Sequence, residues 1–263
     1  MKKNLKHSRK LNKKNAILLA IAAFALSTSS AFAQGQCTLS TTWTFPSTGN
    51  WFTASNWSNG VPNSVTAANI NNGGTAQIGS VLNANACSLT LGNDTSNSGA
   101  VSVGGSAGLT VANSVVIANK GTGTLTIATG GTVTSGSASI AVQTGQVWTS
   151  NGMVTVNAGA SWTINGNLSL GAGTATMGFG VTPTSAGSVT VSGTATLNTG
   201  KHLIITFSGG SYTPNTRYTL LTANGGRSGT FSASFINTPS NVCPVIHYDT
   251  NHVYLDLPPT CSL

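Results

Sequence analysis

A chain of 263 residues with no glutamate, three aspartates and eleven lysines and arginines has a formal net charge of +8 and reads at first as a basic protein. Seven of the eleven cations (Lys2, Lys3, Lys6, Arg9, Lys10, Lys13 and Lys14) lie in "MKKNLKHSRKLNKK" at the N-terminus. Beyond residue 33 only Lys120, Lys201, Arg217 and Arg227 stand against Asp94, Asp249 and Asp256. That balance excludes nucleic-acid binding through clustered charge and leaves paired-carboxylate catalysis little to work with.

The basic head is followed by the apolar run "AILLAIAAFAL" (residues 16–26) and by "STSSAFA", which ends in an A-x-A site. Basic head, short apolar centre and small-residue end describe a secretory signal peptide, with cleavage expected after Ala33. The apolar run is too short to span a bilayer, and no later stretch of the mature chain predicts a transmembrane segment. Export makes disulfides chemically reasonable for an even set of four cysteines. Three pairings are open. The one that keeps each bridge within one end of the chain joins Cys37 to Cys87 and Cys243 to Cys261. No CxxC or HxxxH spacing predicts a zinc site, and no metal or other cofactor is expected.

Next comes an aromatic segment, "TWTFPSTGNWFTASNWSNGVPN", carrying Trp43, Trp51 and Trp57. Exposed, these rings are candidate ligand contacts that would stack on sugars. Buried, they would cover the first coil of a repeat array, as the open end of a solenoid requires.

Residues 74–210 hold a repeat obscured by uneven insertions. Units begin at Gly74, Gly99, Gly123, Gly152 and Gly187, and a second short apolar segment trails each start, at Ser88, Ser114, Ser137, Asn167 and His202. Apolar residues hold offsets of two, four, ten and twelve from the glycine. Val101, Val103, Leu109 and Val111 fill them in one unit; Val154, Val156, Trp162 and Ile164 fill them in another. Polar residues occupy the last offset twice, at Ser135 and Thr199. Period-two alternation of Val, Ile and Thr over four or five residues, broken by Gly, Asn and Ser, predicts short strands joined by turns. Recurrence at 24 to 35 residues predicts an all-β solenoid whose coils hydrogen-bond to one another. An antiparallel β-sandwich is the alternative. Trp162 is expected in the core. The longest interruption of the pattern, residues 171–187, is expected to protrude and to be a candidate contact surface.

Toward the C-terminus, "VIHYDTNHVYL" reads as a hairpin whose turn formers are Asp249, Thr250 and Asn251. Doubling back would bring His247 and His252 near Asp249 without making them a catalytic or metal site. The chain divides into a signal peptide (1–33), an N-terminal cap segment (34–73), solenoid repeats (74–210), and C-terminal strands with a hairpin cap (211–263).

"VVIANKGTGTLTIATGGTVTSGSASIAVQTG" and "GMVTVNAGASWTINGNLSLGAG" resemble the repeat of type V secretion autotransporter passengers and related exported surface proteins. The aromatic segment is similar to the opening often placed before such repeats. "RYTLLTANGGRSGTFS" and "VIHYDTNHVYLDL" resemble the end of a passenger. The resemblance implies a right-handed parallel β-helix at the cell surface, outside the cell or in the periplasm. The expected form is either a passenger without its translocator barrel, which would be supplied elsewhere or lost, or an exported protein that reuses the repeat.

Function is therefore expected to be non-catalytic: adhesion or surface display toward an extracellular glycan or protein, with no nucleic-acid partner. A carbohydrate-binding module using the tryptophans and a β-helix polysaccharide-degrading enzyme are the alternatives. Catalysis requires poised, convergent groups, and no G-x-S-x-G context or acid pair supplies them.

Overall fold

The computed structural model describes residues 35–142 and 150–259. Residues 1–33, expected to be a signal peptide, and Trp148 and Cys261 lie outside the described residues. The chain winds into a parallel β-solenoid of about seven turns, and each full coil contributes to three strand ladders. One face is an eight-stranded parallel sheet built from Thr48–Asn50, Thr75–Ile78, Ser98–Val103, Thr122–Ile127, Asn151–Val156, Thr174–Val181, Lys201–Phe207 and Phe231–Ile236. At about 4.8 Å per step this face runs roughly 34 Å. The other two faces share the long strands Gly108–Ile117 and Thr132–Ile140. Each of these bends to serve both ladders, and the register shifts between Ser135 and Ser137.

Alternation places the core. In the eight-stranded face Val101, Leu125, Val154, Met177 and Leu203 stack in register, as do Val103, Ile127, Val156, Phe179 and Ile205. All are essentially inaccessible to solvent. Each such Val, Leu or Ile contributes about 1.5–3 kcal/mol by leaving water. Trp162 is buried as expected, and it explains Ser135. The serine occupies an inward place between Val111 and Ile164 and accepts the Trp162 indole N–H at 3.1 Å.

The repeat glycine also has a cause. Gly99, Gly123 and Gly152 lie side by side where the chain enters the eight-stranded face. A Cβ on Gly99 would stand 1.9 Å from the Ile70 carbonyl oxygen. Only a residue without a side chain passes the preceding corner there.

The fifth unit sits in a different place from the one its glycine suggests. Ser188–Val191, the strand after Gly187, pairs with Ser161–Ile164, so it belongs to the second half of a coil. "HLIIT" belongs to Lys201–Phe207, which pairs with Thr174–Val181 on the eight-stranded face. The coil after Gly152 starts at Ala175, which stands beside Gly152 in register. The supposed interruption 171–187 is thus mostly a core strand, with Met177, Phe179 and Val181 buried. It reads as a loop because Gly178 and Gly180 fill the outward places where other coils carry threonine. Only a short turn leaves the coil, closed by Thr182 N–H to Ser185 O at 2.8 Å. Thr199 is likewise no inward exception; it is exposed, and Val191 holds that place.

Parallel stacking begins before Gly74, with Leu39–Thr42 on Thr66–Ile70 and Thr48–Asn50 on Thr75–Ile78, and it continues past residue 210 to Phe231–Ile236. Cys37 and Cys87 form a disulfide that ties the first described residues to the second coil. Cys243 is also disulfide-bonded. At the far end, His252–Leu257 pairs antiparallel with Thr216–Ala223 and with Val245–Tyr248, giving the expected hairpin.

Candidate functional site

The N-terminal tryptophans are core. Trp43, Trp51 and Trp57 are 1, 0 and 4% exposed. Trp57 meets each of the other two edge to face at 4.9 Å between ring centroids, a favoured aromatic geometry. Its indole N–H donates to the Trp51 carbonyl at 2.7 Å. The Trp43 and Trp51 indole N–H groups have no acceptor among the described residues. Sugar stacking needs an open ring face, and these rings present none. They plug the end of the coil stack, where a small side chain would leave core exposed.

Along the coils, polar side chains stack at the corners. Asn119 Nδ2 donates to Asn93 Oδ1 at 3.0 Å, and Asn93 N–H donates to Asn71 Oδ1 at 2.8 Å. Asp94 accepts from Asn71 Nδ2 at 2.6 Å, and Lys201 Nζ donates to the carbonyls of Gly173 and Ala172. These groups finish turns.

Arg217, Asp249 and Asp256, with His247, His252, Tyr248 and Tyr254, gather on the C-terminal hairpin and its neighbour strand, and Arg227 of the short strand Arg227–Ser228 reaches the hairpin. The turn forms because the Asp249 carboxylate accepts the main-chain N–H of Asn251 at 2.8 Å and of His252 at 2.6 Å, the local bonding that makes Asp a turn residue. It also accepts from Tyr254 Oη at 3.0 Å and lies 2.9 Å from His252 Nδ1. Partial desolvation pushes the carboxyl up, but these four hydrogen bonds outweigh it and hold the group well below the usual carboxylate range. A carboxylate so stabilised is a weak base.

His247 is exposed and stacks against Tyr254, with 6.3 Å between ring centroids, as His252 does at 5.1 Å. Arg217 lies over the Tyr254 ring at 4.6 Å and holds Asp256 through two bonds of 2.6 and 2.7 Å. Arg227 covers Tyr248 at 4.6 Å and donates to the carbonyls of Gly229 and His252. Each charged group is therefore spent on a neighbour within the end cap. Among the described residues no three His, Cys, Asp or Glu side chains group as metal ligands.

The segment 171–187, expected to protrude as a contact surface, instead contributes the floor of a hollow. On the outer side of the eight-stranded face lies a depression of about 380 Å³, with Gly178 and Gly180 in its floor. Met153, Thr155 and Asn157 border it on one coil and Ile204 and Thr206 on the other. A Cβ on Gly178 would come no nearer than 3.3 Å to any atom, its closest neighbour being Thr155 Oγ1. The hollow at that residue therefore exists because a side chain is missing, and adding one asks only that the Thr155 hydroxyl give way slightly. Glycine inside a strand often marks a place where another molecule approaches closely. The alternation "MGFGV" was the available signal. Its lining carries no charge, only hydroxyl, amide and apolar groups, so it suits a neutral partner.

No family model matches the chain, and no curated protein matches it. No helix among the described residues is long and apolar enough to cross a membrane.

Proposed function

We propose that the chain is an exported, non-catalytic β-solenoid of the autotransporter-passenger kind, working in adhesion or surface display toward an extracellular glycan or protein. The observation that carries this reading is the outer side of the eight-stranded face. Thr75, Ala100, Thr124, Met153 and Thr176 form one column, and Gln77, Ser102, Thr126, Thr155 and Gly178 the next, without a charge in either. Such a surface makes many weak, uncharged contacts, and the glycine-floored hollow interrupts it where a neutral ligand fits. The Cys37–Cys87 bridge supports an oxidising compartment. Processing after Ala33 and delivery by a translocator supplied separately belong to the same proposal.

The test is to express the chain with its own signal and recover the secreted protein. Binding to glycan arrays, matrix proteins and bacterial surfaces is then measured beside hydrolase, lyase and esterase screens. Binding that falls when Gly178→Gln fills the hollow supports the reading. A turnover abolished by changing His247, Asp249 or His252 would overturn it.

A further inference from the structure

The two ends of the coil stack are finished differently. At the N-terminal end three tryptophans seal the core. At the other end the hairpin covers the Thr216–Ala223 side, whereas the eight-stranded face stops at Phe231–Ile236 with no described strand on its outer edge. Phe235 continues the inward column of Phe179 and Ile205. Phe179 and Ile205 are sealed, yet Phe235 and Phe231 are only half-buried, Ala233 is exposed and Ile236 is 45% exposed.

The ladder's phase shows which amides face that edge. Throughout this face, residues of the outward set donate back to the preceding coil: Ala100 N–H to Gly74 O, Ala128 N–H to Val103 O, Ser208 N–H to Val181 O. Ser232 continues that set through its register with His202. Phe231, Ala233 and Phe235 therefore turn their N–H and C=O groups to the free edge. Phe231 N–H is met there by Tyr248 Oη at 3.0 Å. An unpaired strand edge of this kind is a template for a further strand.

The residues along it read Phe231-Ser232-Ala233-Ser234-Phe235, the same in both directions. We propose that this edge pairs antiparallel with the same edge of a second copy of the chain, about a two-fold axis through Ala233. A two-fold contact is self-complementary by construction. Here the sequence meets that condition residue by residue, because Phe231 falls opposite Phe235 of the second copy and Ser232 opposite its Ser234. The two Ala233 residues exchange both main-chain hydrogen bonds, and Phe235 N–H reaches the opposing Phe231 carbonyl. The phenylalanines close the two open core ends against each other, as facing aromatic pairs favour. Two eight-stranded faces become one continuous sheet. This pairing is independent of the adhesion reading.

The experiment is sedimentation velocity of the secreted full chain across a concentration series, with two double variants at exposed outward positions. Ser232→Lys with Ser234→Lys sets like charges opposite one another twice across the axis. Ser232→Lys with Ser234→Glu sets opposite charges there. The wild-type chain is expected to dimerise reversibly. The first variant should raise its dissociation constant about tenfold or more, and the second should keep it within about threefold. Exchange of the Ala233 and Phe235 amides in the wild-type chain should also slow as concentration rises. A wild-type chain that stays monomeric, equal effects of the two variants, or exchange independent of concentration would each overturn the pairing.

Discussion

The coil stack and the C-terminal end of this molecule are built from different chemistry. From Thr75 to Phe207 the inner face is apolar and sealed, mostly aliphatic with Trp162, Phe179 and Phe207 among it; the outer face is mostly hydroxyl and amide, and glycine stands where the chain passes its own backbone. The end beyond residue 210 holds four of the seven charged residues found after residue 33, together with Tyr212, Tyr218, Tyr248 and Tyr254. The stack needs no specific side-chain chemistry because each coil is a template for the next. The end has no next coil, so side chains must finish what backbone pairing finishes elsewhere. Tyr212 Oη, for example, donates to the Val181 carbonyl at 2.7 Å, and Tyr218 Oη bonds the carbonyls of Thr182 and Pro183.

The contrast is broken most severely by touching the backbone contacts of the stack. Gly99→Val would drive a side chain into the Ile70 carbonyl and should cost about 5 kcal/mol or more, enough to unfold a typical domain. Gly178→Ala, at an outward glycine, should leave the urea midpoint nearly unchanged; equal losses would show that the glycines are not placed by packing.

Next in size is the Cys37–Cys87 bridge, which closes a sequence separation of 50 residues. Replacing both cysteines by serine should lower stability by about 4 kcal/mol on the loop-entropy account, read by thermal unfolding with and without reductant. Trp162→Phe should cost about 1–3 kcal/mol, because it strands the buried Ser135 hydroxyl without its partner. Adding Ser135→Ala should restore part of that loss.

Changes at the charged end should be smallest and should depend on solution conditions. Because the folded Asp249 carboxyl is held low, its contribution is complete above the ordinary carboxylate pKa of about 3.9 and drains away as pH falls below it. The Asp249→Asn variant should flatten that acid limb by losing stability at neutral pH, so that the two proteins converge as pH falls, as followed by near-UV circular dichroism. Arg217→Ala should shift the melting temperature only slightly, and salt should erase the difference, as for other exposed ion pairs.

How much of this could be read in advance depended on whether a residue's role was local. Val101 with Val103 and Val154 with Val156 announce their strands by alternation alone, and four of the five coil starts came from glycine. The fifth start was misplaced because Ala175 stands in the glycine's place and outward Gly178 and Gly180 hide the alternation of Met177, Phe179 and Val181. The tryptophans could be read as cap or as ligand contact, since aromatic residues suit both until burial is known. The hairpin was plain from "YDTNH". The pairing of Arg217 with Asp256 and the open edge at Phe231–Ile236 were hidden, because both depend on coil register and not on neighbours in sequence.

The central claim is that stability resides in stacked, in-register coils and falls away toward the C-terminal edge. Residue-resolved amide hydrogen exchange in dilute protein tests it most directly. The account predicts the slowest exchange in Thr122–Ile127 and Asn151–Val156, and exchange faster by about a hundredfold or more at Ala233 and Phe235, a difference in opening free energy of about 2.7 kcal/mol or more. Uniform protection along the chain, or a C-terminal edge that outlasts those central strands, would contradict it.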